Sequence, residues 1–248
     1  MGKFAYVLNG GDHPIFVYTV GTNGALTQTA SFPGGAPNSI AIHPSGSFVY
    51  VADGVFNEIN TFAVSPTTGA VTLIDSTPID GSPFGVVLHP SGRFAYALHR
   101  SADEVLVFTI DTNGKLTATS TASTGSGSSP VSVVMDPLGK FAYVLYAPNG
   151  NPGQNITAYT VDSATGALTE VGTFAPVPGV GLDSLTLERS GKFAYVVREF
   201  DLSCNPLTSS LVTISAYTID RSMGLLTLSG KLCTDFGGKV VVTTGPIP

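Results

Sequence analysis

The sequence predicts an all-β chain, a five-bladed β-propeller of four-stranded antiparallel blades, and three observations predict it. First, the phrase GKFAYV beginning at Gly2 returns as GSFVYV from Gly46, GRFAYA from Gly92, GKFAYV from Gly139 and GKFAYV from Gly191. The start-to-start intervals of 44, 46, 47 and 52 residues cluster around the roughly 40–50-residue period of four-stranded propeller blades. Second, another phrase recurs in step with it: VYTVGTNGALT from Val17, TFAVSPTTGAVT from Thr61, VFTIDTNGKLT from Val107, AYTVDSATGALT from Ala158 and AYTIDRSMGLLT from Ala216. Third, the 248 residues are 43% hydrophobic and 11% charged, with 29 Gly and 17 Pro. That composition suits a buried core built from many short strands and tight turns. Trp is absent, which argues against the Trp-Asp class of propeller.

The second repeat shows how each strand arises. Asn38–His43 alternates in polarity and ends in the turn His43-Pro44-Ser45-Gly46, and Phe48–Asp53 is a β-branched and aromatic run, so the two form antiparallel strands A and B. Ile59–Ser65 supplies strand C, Pro66-Thr67-Thr68-Gly69 reverses the chain, and Val71–Thr77 supplies strand D. The glycines at 24, 69, 114, 166 and 224 are expected to take positive φ in the C–D hairpins. In the A–B turns, His43, His89, Asp136 and Glu188 share one repeat position. A slot that accepts three chemistries reads as turn capping rather than as a site.

The chain opens at a B strand, and complete A strands occur only near Ser39, Gly85, Ser132 and Ser184. Lys239–Thr244 (KVVVTT) stands where the missing A strand would fall. The expectation is a single domain, 1–248, with blades at 1–33 plus 239–244, 38–78, 84–122, 131–174 and 183–232. The C-terminal strand would then close the ring by pairing into the N-terminal blade. Closure removes exposed sheet edges, so a monomer is expected.

The net charge of −6 and pI near 5.0 give no basic footprint for nucleic acid. No apolar run reaches the length of a membrane span. No signal peptide is expected within this sequence, although an extracytoplasmic setting fits the two cysteines better than a reducing one. Cys204 in the long B–C loop of blade five and Cys233 after its D strand fall on one face of one blade, which makes them a disulfide candidate. No metal-ligand spacing, phosphate-cradling loop or nucleophile triad is present, so neither metal nor cofactor is expected.

The GKFAYV and TGALT phrases, with HPSG between strands A and B, resemble the YVTN and lactonase-like β-propeller family, which includes 6-phosphogluconolactonase-like proteins and usually has seven blades. The resemblance covers essentially the whole chain. It implies a Gly-Pro-Arg-His segment opening an A strand and a Glu just after strand B of the same blade. Tyr195-Val196-Val197-Arg198-Glu199 matches the second half. The corresponding A-strand openings read Gly81-Ser82-Pro83-Phe84-Gly85, Ser129-Pro130-Val131-Ser132 and Gly181-Leu182-Asp183-Ser184, without Arg or His.

Ligand sites of such propellers are expected where the B–C and D–A loops gather. Glu199, Arg198 and His99 are the candidate catalytic residues. A His or Glu can take a proton from water while an Arg stabilises the developing oxyanion. Asp53, Arg100, Tyr146 and Asp183 are the candidate ligand-binding residues, suited to a small polar ligand or sugar. Adjacent strand residues face opposite ways, so one member at most of each pair, His99–Arg100 and Arg198–Glu199, is expected to reach a common site. The missing Arg-His half favours a non-catalytic binding scaffold for a ligand or a protein partner. The alternatives are a lactonase-like hydrolase of a sugar lactone and a lectin-like propeller, the latter weakened by the unlike B–C loops.

Overall fold

The structure is a computed structural model that describes residues 3–9, 15–32, 35, 37–146, 156–174, 184–199 and 212–234; for 198, 199, 212 and 234 it describes the backbone alone. The fold is all-β, a five-bladed β-propeller. In the first blade β1 (Phe4–Val7), β2 (Ile15–Val20) and β3 (Leu26–Phe32) pair in that order, and in the second β4 (Pro37–Ile42), β5 (Phe48–Asp53), β6 (Glu58–Val64) and β7 (Val71–Pro78) do so. The third holds β8 (Pro83–Leu88), β9 (Phe94–His99), β10 (Glu104–Ile110) and β11 (Leu116–Ser123). The fourth holds β12 (Pro130–Met135), β13 (Phe141–Tyr146), β14 (Ile156–Val161) and β15 (Leu168–Phe174). The fifth holds β16 (Ser184–Leu187), β17 (Phe193–Glu199), β18 (Val212–Ile219) and β19 (Leu226–Thr234). All pairings are antiparallel meanders. The proposed closing strand, Lys239–Thr244, lies outside the described residues.

The chain groups into two compact units, Met1–Ser120 and Thr121–Pro248. In the first, Tyr50, Ala52 and Ile59 of blade two pack with Val86, Ala95, Ala97 and Phe108 of blade three. The other face of blade two meets blade one through Val49, Val51, Phe62 and Ile15. In the second unit, Phe141, Tyr143, Leu145 and Ile156 pack with Leu185, Val196 and Tyr217. Blade two is therefore covered on both faces. The strands β9 (FAYALH) and β13 (FAYVLY) are buried at every position, which is why they read as nearly continuous apolar runs instead of alternating ones.

The two recurring phrases interlock between neighbouring blades. The hydroxyls of Tyr6, Tyr50 and Tyr143 donate to the carbonyls of Gly69, Gly114 and Gly224, each at 2.9 Å. The aromatic ring two residues earlier lies on the same glycine. A Cβ at Gly114 would stand 2.6 Å from Phe48, and one at Gly224 would stand 2.5 Å from Phe141. The hairpin glycines do take positive φ, and Gly69, Gly114 and Gly224 also serve as the seat of the adjoining blade's Phe-x-Tyr.

The A–B turn position likewise does more than cap. His43 Nδ1 accepts the Ser45 N–H at 3.2 Å, while its Nε2 lies 2.9 Å from the Gly92 carbonyl of the next blade. In the second unit Asp136, wholly buried, pairs with Arg221 at 2.7 Å, and Arg221 also donates to the Gly191 carbonyl. Among the described residues no helix is long and apolar enough to cross a membrane.

Candidate functional site

Register places Asp53, His99 and Tyr146 at one repeat position, the last residue of β5, β9 and β13. Each stands opposite the proline that opens its A strand: Pro37 to Asp53, Pro83 to His99 and Pro130 to Tyr146. Aligned on the Phe-Ala-Tyr phrase, Arg198 of β17 occupies the same position and Glu199 corresponds to Arg100. The repeat thus carries four different residue types at one position of its sequence, which is how a propeller diversifies chemistry without changing its frame.

His99 is the most developed of these positions. It is 6% exposed, and its Nδ1 lies 3.1 Å from Glu104 Oε1. The two residues face each other across the β9–β10 pair. A carboxylate accepting from Nδ1–H fixes the imidazole tautomer and leaves Nε2 with its lone pair. Nε2 sits against Gly81, where a Cβ would come within 2.5 Å. Gly81 has φ +100°, a conformation that side-chain-bearing residues avoid. The same residue is thus held as glycine by its backbone and by the space the imidazole needs.

Arg100 leaves the strand and begins a short 3-10 turn, Arg100–Ala102. Its guanidinium lies 5.2 Å from the centre of the Phe84 ring. His99 points inward and Arg100 is exposed, so the two do not share one direction.

Asp53 is buried, and its Oδ1 accepts the backbone N–H groups of Val55 and Phe56 at 2.9 and 3.0 Å. Glu58 stands opposite it across β5–β6. Tyr146, in the second unit, is buried with its hydroxyl 3.5 Å from that of Tyr159, and burial raises its phenol above the ordinary value. Arg198 and Glu199 end β17, opposite Thr213 and Val212. Asp183 and Cys204 lie outside the described residues. Cys233 is exposed on β19, opposite Thr213. No group of three metal-ligating side chains occurs among the described residues.

Two features escaped the sequence reading. The partner of His99 is five residues downstream, and Asp53 and Glu58 repeat that spacing. The second is the Gly-x-Pro that opens strands β4 and β8, Gly35-x-Pro37 and Gly81-x-Pro83, whose glycines rest on Asp53 and His99. The recurrence of both in adjacent blades was the available signal.

The model of the family described as lactonase, 7-bladed beta-propeller, matches residues 1–88 and 81–183. The chain belongs to the lactonase β-propeller family. Among solved structures, a protein from Bacteroides uniformis assigned as a 6-phosphogluconolactonase superposes with TM-score 0.79 at 18% identity over 94% of this chain and 69% of its own. The periplasmic gluconolactonase PpgL of Pseudomonas aeruginosa gives TM-score 0.72 at 18% identity, over 93% of this chain and 67% of its own. A second Bacteroides protein with the same assignment, from Bacteroides fragilis, is covered over 63% of its length, with TM-score 0.69 at 20% identity. No curated protein matches the sequence. At these identities the structural likenesses establish the propeller fold.

Proposed function

We propose that this lactonase-family propeller hydrolyses a small sugar lactone, with His99 as general base. The observation that carries the reading is the His99–Glu104 pair at the end of a B strand: an imidazole oriented by a carboxylate through Nδ1, its Nε2 facing a side-chain-free Gly81. In the reaction, Nε2 takes a proton from water as the water oxygen attacks the lactone carbonyl. The tetrahedral intermediate then expels the ring oxygen, which receives that proton from the imidazolium, giving the open hydroxy acid. A guanidinium near the carbonyl oxygen or the sugar's anionic substituent stabilises the charge that develops; Arg100 turns away from His99 onto the Phe84 ring and is given no part in this step. Arg198 and Glu199, at the corresponding positions of β17, are the second candidate pair.

The test follows proton release from a panel of sugar lactones. The native protein is expected to exceed the spontaneous rate. His99→Ala should lower the rate by about a hundredfold or more, and Glu104→Gln by less, general-base contributions being typically 10²–10⁴-fold. Glu199→Gln, assayed separately, decides whether β17 contributes. A folded native protein without turnover, or turnover indifferent to His99, refutes the proposal.

A further inference from the structure

The first unit carries a cleft of about 340 Å³ where β3 meets the outer part of blade two. Its walls are aromatic and aliphatic, with Phe32, Phe56 and Phe62 foremost, and its polar side chains are Asp53, Glu58 and Asn60. Asp53 is 1% exposed, and its Oδ2 is buried without a hydrogen-bond partner among the described residues. A Cβ at Gly35 would lie 1.9 Å from that oxygen, so it is the glycine that leaves room there. Among the described residues no Lys, Arg or His pairs with Asp53 or Glu58. Asn60 is engaged at both ends of its amide: Nδ2 donates to Glu58 Oε1 at 2.9 Å and Oδ1 accepts from Ser76.

These facts restrict the ligand. A buried carboxylate oxygen without a partner is unfavourable, and two carboxylates opposed across a strand pair repel each other. A single positive charge in the cleft relieves both. The cleft's side chains offer carboxylate acceptors and a single spare donor, the second N–H of Asn60 Nδ2, which suits poorly a sugar, whose several hydroxyls both give and accept. A hard metal ion wants about six oxygen ligands, whereas most of this lining is carbon. Aromatic faces beside a carboxylate are the chemistry that holds alkylated ammonium groups.

We propose that this cleft binds a small organic ammonium ion, its charge beside the Glu58 carboxylate and within the field of the buried Asp53 carboxylate, and its alkyl groups against Phe32, Phe56 and Phe62. The site is separate from the His99–Glu104 pair and does not rest on the lactonase reading.

Isothermal titration at low ionic strength tests it with choline, with its neutral carbon isostere 3,3-dimethylbutan-1-ol, and with calcium chloride. Choline should bind saturably. Asp53→Asn should weaken it by about tenfold or more and Phe56→Ala by a few-fold, the range expected for charge pairing and cation–π contact, and the isostere should not bind. Phe56 is 65% exposed, so its truncation leaves the core intact, and Glu58→Gln provides a second charge variant if Asp53→Asn fails to fold. No saturable choline binding by the native protein, equal binding of the neutral alcohol, preference for calcium, or unchanged affinity in the variants overturns the proposal.

Discussion

Replacing Tyr50 by Phe removes one oxygen from the contact between blades two and three and changes nothing else in shape. The Tyr50 hydroxyl is wholly buried and donates to the Gly114 carbonyl at 2.9 Å, and burial holds the phenol far above its ordinary pKa, so it remains a neutral donor throughout the working pH range. Its loss removes a hydrogen bond and leaves the glycine carbonyl without this donor, an effect of about 1–2 kcal/mol. For a chain of this size that corresponds to a Tm lower by roughly 2–8 °C. Tyr143→Phe should behave alike, since Tyr143 is equally buried and donates to Gly224 at the same distance. Tyr6→Phe should cost less, because Tyr6 is half-buried and water can replace the lost donor. Tyr18→Phe is the control, because its hydroxyl makes no hydrogen bond among the described residues. Urea unfolding followed by circular dichroism reads all four. If Tyr50→Phe and Tyr143→Phe unfold together with Tyr18→Phe, the tyrosine–glycine contact is incidental and the Phe-x-Tyr phrase serves packing alone.

Gly81→Ala would place a Cβ within 2.5 Å of His99 Nε2 at a φ that disfavours side chains, so it should lower the urea midpoint and, in the fraction that remains folded, lower lactone turnover by about a hundredfold; turnover per folded molecule equal to the native protein's contradicts the role of Gly81. The turn carboxylates set the acid limb of stability. Backbone and side-chain hydrogen bonds from Thr165 lower the pKa of Asp162 below its ordinary 3.8, and those from Ser222 do the same for Asp220. Their contribution is therefore complete above that ordinary value and lost as pH falls through the depressed folded values. Tm measured from pH 5 downward should fall, and Asp162→Asn with Asp220→Asn should flatten the fall; an unchanged profile contradicts the assignment. We also propose a Cys204–Cys233 bridge. Thiol titration of the unreduced, denatured protein should then find no free sulfhydryl, and two titratable thiols would exclude the bridge.

The sequence alone determined the number of blades, their strand order and the hairpin glycines, because each rests on local chemistry repeated at a fixed period. Alternation and turn residues act within a few positions, so they survive in the linear record. Tertiary structure decided what those repeated residues touch. Gly114 is needed by its own turn, but also by Phe48 and Tyr50 of another blade, a relation that no window of adjacent residues contains. The A–B turn slot looked like capping alone until His43 reached Gly92 and Asp136 met Arg221.

The candidate site divided in the same way. His99, Arg100 and Asp53 stood out as polar residues closing apolar strands. That His99 is oriented by Glu104 while Arg100 turns away, and that Asp53 keeps one oxygen unpartnered against Gly35, follows from strand register and from the close approach of the D–A loop. Both are set by packing between strands, and composition carries no trace of them.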